Sequence, residues 1–315
     1  MRHTLSLFIL TALMIGGHEA RTAETESAAF DLKQGDTSVS IRAGQRPVLE
    51  YRWADVNYKP YVQKLFSPHG INILRDSPHD HVHHHALMFA LIADGVDFWV
   101  ESARNKPGSQ IHREMGLLSK IATAAVSAAT ITEQLDWVSG DGKPVLQEER
   151  TIATYRGKGI NASLLTWQSR LRPAKGKPTV TLSGRHYLGL GMRLVESMDG
   201  SGRFLYACGE PGPIVRGTER FTPTRWCAYT APAGGKTVTV AMFDHPANPR
   251  HPAGMFTMLK PFAYLAATPN VWKKPLVVEA DEPVTLCWGV ALWDGEIAAE
   301  DIQRMYQTWL DLPRP

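Results

Sequence analysis

The 315-residue chain is 43% hydrophobic and 21% charged, with 34 Lys and Arg against 31 Asp and Glu and a formal net charge of +3. That composition supports a large packed core and excludes a disordered chain. Near charge balance without a basic run excludes nucleic acid as a partner, and three cysteines, Cys208, Cys227 and Cys287, exclude a disulfide scaffold.

Arg2 precedes the apolar run LSLFILTALMIGG, about 13 residues long. A run of that length is too short to span a bilayer and suits a secretory signal. Small residues at Ala20 and Ala23 place the expected cleavage near residue 23, so 1–23 is read as a signal peptide and 24–315 as one periplasmic or secreted domain. No later stretch reaches the ~18 apolar residues a membrane helix needs, so no span is expected in the mature chain.

Residues 76–89 read DSPHDHVHHHALMF and hold five of the twelve histidines, His79, His81, His83, His84 and His85. If the segment is extended, period-two alternation puts His79, His81, His83 and His85 on one face, with His84 and Asp80 on the other. The residues that follow are core material, so the cluster sits at the mouth of a buried strand, where polar groups need partners. Three readings stay open. One divalent ion is held by His81 and His83, an i, i+2 pair of imidazoles. The histidines serve metal-free acid/base or hydrogen-bonding roles in a polar cleft. Or the row is a solvated strand edge.

The segment GVDFWVE (95–101) ends in Glu101. Further on, 148–155 and 162–171 read as two strands joined by the glycine-containing turn RGKGIN, a hairpin signal. Glu148 and Glu149 then face opposite sides of the sheet, and Glu149 is a candidate substrate contact. YLGLGMRLVE (187–196) reads as a strand whose glycines suggest bulges or the close approach of a ligand. Arg193 inside it is either paired to a carboxylate or aimed at a ligand. Trp99, Phe98, Trp226, Tyr229 and Trp272 are either core or stacking faces for a sugar ring.

TVTVAMF (237–243) alternates as a strand and leads into DHPANPRHP (244–252), whose three prolines preclude a strand interior. This loop displays Asp244, His245, Asn248, Arg250 and His251. It is either a stiffened site loop or a surface turn that bonds its own backbone. VTLCWGVALW (284–293) is a further alternating strand. Ile302, Met305, Tyr306 and Trp309 recur at helical spacing over 298–310 behind the acidic Glu300 and Asp301, which predicts one short C-terminal helix. Many strands and one terminal helix predict an all-β fold, a large antiparallel β-sandwich.

KPYVQKLFSPHGINILRDSPHDHVHHHALMFALIADGVDFW, followed downstream by VAMFDHPANPRHP, resembles the bacterial PmoA-like family over roughly residues 50 to 312. Asp80, His81, His83 and His84 match its first motif, and Asp244, His245, Asn248, Arg250, His251 and Pro252 its second. The chain departs with His85-Ala86 where the family has Arg-Gly, and with Met88 for its Trp. The resemblance implies a supersandwich similar to galactose mutarotase-like domains and a place in bacterial sugar degradation.

The expected function is an exported carbohydrate-active enzyme acting on a glycoside or oxidised sugar, by proton abstraction of the lyase or epimerase type or by hydrolysis. His81, His83, His84, Asp244, His245 and His251 are the catalytic candidates. Arg193, Asn248, Arg250 and Glu149 are the substrate-binding ones. Cofactor expectations are one divalent metal on His81 and His83 and no nucleotide. The partner is a small-molecule or oligosaccharide substrate. The alternative is a non-catalytic periplasmic sugar- or metal-binding protein. A redox copper site is disfavoured by histidine ligation without a nearby cysteine.

Overall fold

The computed structural model describes residues 30–102, 106–123 and 125–313; the expected signal segment lies outside them. Among the described residues the strands form two large antiparallel sheets and one small one. The first has ten strands. From one edge it runs through Phe30–Gln34, Ser38–Ala43, Arg46–Arg52, Tyr61–Leu65, Leu87–Ala90 and Gly189–Arg193, then Tyr264–Thr268, Gly254–Met258, Glu219–Thr222 and Ile214–Arg216. The second has eight strands and is built around Val284–Asp294, with Lys236–Asp244 on one side and Ser163–Pro173 on the other. The predicted hairpin is present: Pro144–Gly157 pairs antiparallel with Ser163–Pro173.

The two large sheets pack face to face, as a sandwich must to bury both apolar faces. Phe89 on the first sheet meets Trp137 (5.8 Å between ring centroids) and Trp288 (5.4 Å) on the second. Strand Val284–Asp294 is buried on both faces from Leu286 to Trp293. Its inward residues face the sandwich core. Cys287, Ala291 and Trp293 face outward, under the predicted helix, observed as Ala299–Leu310. Ile302, Met305, Tyr306 and Trp309 are that helix's buried stripe. None of the three cysteines is in a disulfide; Cys208 is exposed and the others are buried.

A charged network crosses the core. Arg150, 1% exposed, donates from Nε and Nη2 to Glu148 (2.9 and 2.8 Å), from Nη1 to Tyr51 Oη (3.2 Å) and Pro60 O (3.0 Å), and from Nη2 to Gln110 Oε1 (2.8 Å). Glu148 also accepts from Trp137 Nε1 (2.8 Å) and Ser169 Oγ (2.6 Å). Tyr51 bonds Glu133, whose second oxygen meets His112 Nδ1 at 2.6 Å. Buried charge is tolerable only when every donor and acceptor is used, and here the network joins strands of both sheets.

Candidate functional site

The histidine segment is not an extended strand. Turn bonds run from His81 N to Pro78 O (2.9 Å) and from His84 N to His81 O (2.9 Å), and Ser77 N bonds His84 O (3.0 Å). Backbone donors are met locally, so the chain doubles back and enters a strand only at Leu87. Period-two alternation therefore does not apply. The turns bring His81, His83 and His84 together, with ring centroids 4.8 Å apart for His81 and His84, 4.5 Å for His83 and His84 and 5.7 Å for His81 and His83. His79 is left exposed. His85 turns the other way. Its Nδ1 meets Asp76 (3.0 Å) and Ser77 (2.8 Å), and its Nε2 meets Glu101 (3.0 Å). Lys59, fully buried, completes this pocket of charge by bonding Glu101 and Trp99 O.

His81, His83 and His84 form one wall of a cleft of about 420 Å³, a size suited to a small-molecule ligand. The cleft lies over the face of the ten-stranded sheet turned away from the second sheet. Leu190 and Met192 face the core and leave Gly191 and Arg193 on the cleft side, where Arg193 pairs with Tyr264. Tyr264 lies across Gly191: a Cβ there would sit 2.1 Å from Tyr264 Oη. The close approach expected at this glycine is thus made by the protein's own tyrosine. Trp99, Tyr187, Phe256 and Phe262 supply the other aromatic surfaces.

Several polar atoms around the cleft are buried without a protein partner among the described residues: His84 Nδ1, Tyr264 Oη, and Nε and Nη1 of Arg193. Such atoms are costly unless something else bonds them. Arg193 is 2% exposed, its guanidinium lies 3.5 Å over the Phe262 ring, and Nη2 stands 3.6 Å from Asp80. Asp80 in turn accepts from His81 Nδ1 at 3.0 Å. A small burial cost on Asp80 is outweighed by the His81 hydrogen bond and the Arg193 charge, which hold its carboxyl below the usual range. Burial, reinforced by Lys59 and His81, pushes His83 down to about 4. Burial and the neighbouring His83 push His84 down to about 2. Both imidazoles are neutral at ordinary pH.

The second motif does not line this cleft. Asp244 Oδ2 accepts from His251 Nδ1 (2.7 Å) and Ala253 N (3.1 Å), and Oδ1 accepts from Asn248 Nδ2 (2.7 Å). Burial raises the Asp244 carboxyl against the pull of Asn248. Asn248 also exchanges two 2.7 Å bonds with the backbone of Cys287, clipping the loop to the central strand. Arg250 donates to three carbonyls, of Asn270 (2.5 Å), Lys274 (2.5 Å) and Pro275 (3.1 Å). His245 packs on Trp309 (5.5 Å) and borders a crevice of only about 10 Å³, room for at most a water. Glu149, on the face away from the core, accepts from Gln134 Nε2 (3.0 Å) and does not border the cleft.

Sequence reasoning missed the far side of the cleft. Arg216, Glu219 and Lys260 line it, and Glu219 accepts from His186 Nε2 (3.0 Å) and from Arg216 Nη2 (2.6 Å). The Pro/Gly-rich stretch EPGPIVRG (210–217), whose Ile214–Arg216 form the sheet's edge strand, was the one available signal. Phe256 and Tyr264 lie in strands that are buried along their whole length. Of the aromatics considered as stacking faces, Trp99 lines the cleft; Phe98, Trp226 and Tyr229 are packed in the interior.

Among the described residues no group of three or more His, Cys, Asp or Glu side chains gathers as a metal centre requires, and no helix is long and apolar enough to cross a membrane. A family model described as a family of unknown function (DUF6807) matches residues 38–307, and the chain belongs to that family. No curated protein matches the sequence. Among solved structures, a TPR-domain-containing protein of Parabacteroides distasonis is 9% identical at a TM-score of 0.37, over 88% of this chain and 49% of its own. The chain thus spans about half the length of that protein. A protein described as a candidate mutarotase, YeaD of Salmonella typhimurium, is 12% identical at a TM-score of 0.30, over 85% of this chain and 94% of its own. At these scores neither likeness bears on the reading of the cleft.

Proposed function

We propose that this DUF6807 member is an exported protein that binds a sugar or sugar acid in the cleft and moves a proton on it, as an epimerase or lyase does. The observation that carries this reading is the wall of three imidazoles beside buried, unpartnered polar atoms. Aromatic faces suit the C–H face of a sugar ring. Lys260 suits a carboxylate. With its Nδ1–H donated in a hydrogen bond to the Asp80 carboxylate, His81 presents Nε2 as the general base, the carboxylate fixing tautomer and ring. Neutral His84 donates from Nδ1 to oxygen as negative charge develops there. Asp244, His245, Asn248, Arg250 and His251 are positioning residues that hold the loop before strand Gly254–Met258, which carries Phe256 and Met258 into the cleft. Export rests on the apolar run at 5–17.

Incubation with hexoses and hexuronic acids in deuterated water tests the reading. A bound sugar should exchange a carbon-bound proton, seen by proton NMR, and His81→Ala should slow that exchange 10²–10⁴-fold, the usual worth of a positioned base. Binding without exchange leaves a sugar-binding protein; neither binding nor exchange overturns the reading.

A divalent ion on His81 and His83 is the second reading, favoured by Asp80 behind His81, since carboxylates commonly orient ligating imidazoles in this way. Elemental analysis of protein purified without a histidine tag decides it. One equivalent of metal, lost in the His81→Ala, His83→Ala variant, establishes the ion. Metal below a tenth of an equivalent after incubation with zinc, manganese and nickel removes it.

A further inference from the structure

The cleft is long in one direction, and its two ends differ in chemistry. Arg220 pairs with Thr257, Met258 with Tyr264, and Tyr264 with Arg193, whose N–H donates to Ala86 O at 2.7 Å. Glu219, one residue before Arg220, therefore heads a row that crosses the sheet to Ala86, next to the histidine wall. Four strand spacings of about 4.8 Å make that row roughly 19 Å long. The rings on the cleft floor agree: His84 to Tyr264 is 5.1 Å, Tyr264 to Phe256 6.2 Å, and Phe256 to His186 5.4 Å. A single pyranose ring held against His81 and His84 does not reach Glu219.

Glu219 is 5% exposed yet borders the cleft. Arg216 Nε (3.1 Å) and Nη2 (2.6 Å) hold one carboxylate oxygen, and His186 Nε2 (3.0 Å) holds the other. Two partners balance the buried charge and fix its direction, and the oxygen held by His186 alone keeps capacity to accept a hydroxyl. Between the two ends the floor is aromatic.

We propose that Glu219, oriented by His186 and Arg216, forms a second sugar subsite, so that the ligand is two linked rings or longer, with one ring at the histidine wall and the next over Phe256 against the Glu219 carboxylate. The inference rests on the sugar reading above and adds the size of the ligand and the residue that selects it.

Calorimetric titration of the full chain with galacturonate, glucuronate and disaccharides built from them tests it. The wild type should bind the disaccharide at least tenfold more tightly than the matching monosaccharide. Glu219→Ala should remove that advantage and leave monosaccharide affinity unchanged. Arg216→Ala, on the exposed side of the same hairpin, should remove part of it. If Glu219→Ala does not fold, Glu219→Gln provides the same readout with the side-chain shape retained. Equal affinity for one and two rings, or an equal loss for both in the Glu219 variants, overturns the second subsite while the sugar reading stands. No binding of any of these sugars by the wild type overturns both.

Discussion

Arg150→Ala is expected to lower the stability of the fold by about 3–5 kcal/mol, the usual cost of removing one partner from a buried ion pair. The guanidinium has no access to water and spends its donors on Glu148, Tyr51, Gln110 and the carbonyl of Pro60. Alanine leaves Glu148 as a buried carboxylate whose remaining donors are Trp137 and Ser169. It also removes the bonds of Arg150 to Tyr51 and Pro60, leaving Tyr51 tied to the eight-stranded sheet through Glu133 alone, and the contact of the guanidinium with the Trp167 ring, 4.7 Å away. Chemical denaturation should show a lower midpoint with an unchanged slope, since the surface exposed on unfolding stays the same. Arg150→Lys keeps the charge but loses the planar fork, and should fall between the two. A loss under about 1 kcal/mol for Arg150→Ala would mean that water reaches the network and that it is not the clamp between the sheets.

Neither that network nor the shape of the site is visible in the strand pattern. The hairpin over 148–171 and the terminal helix are legible because each depends on local periodicity, and packing agreed with it. Glu148 and Arg150 are two apart on one strand, so alternation places them on one face, but their partners Tyr51, Pro60 and Gln110 are remote in sequence. The histidine cluster announced a site by composition alone. Its geometry was missed because alternation presumes an extended backbone, whereas the Pro78–His81 and His81–His84 turn bonds fold the segment back. That fold is what separates His85 from its neighbours. The aromatic floor was missed for a different reason: Phe256 and Tyr264 lie in short, mainly apolar strands with no alternation to tell one face from the other, and only Gly191 hints at the space one of them needs. The 244–252 loop was the converse case. Its dense polar side chains largely bond the protein itself, Asp244 and Asn248 to the loop and the central strand, Arg250 to three carbonyls.

Three adjacent histidines should titrate in opposite directions, and the acid stability of the fold should follow two of them. His84 and His83 are pushed down to about 2 and about 4 by burial and by neighbouring cationic groups. His85 is buried too, but Asp76 and Glu101 on its two nitrogens outweigh burial and raise it above its ordinary value. Near pH 6.5 His85 should therefore be the charged imidazole of the three, beside neutral His83 and His84. Imidazole signals followed by carbon and nitrogen NMR through a pH titration should show this order, with assignments from single His→Asn variants. For His83 and His84 the unfolded chain binds protons before the fold does. Their contribution to stability is whole above about pH 6.5 and is lost as pH falls from there toward 4. His85 has the opposite sign: its contribution is whole below about 6.5 and is lost as pH rises through its raised value. His83→Asn and His84→Asn should each flatten the loss of stability between pH 6.5 and 4, and His85→Asn should not. A fold in which His83 and His84 titrate near 6.5 would have solvated rings on that wall, and His84 would then be no buried donor held neutral through mildly acidic pH.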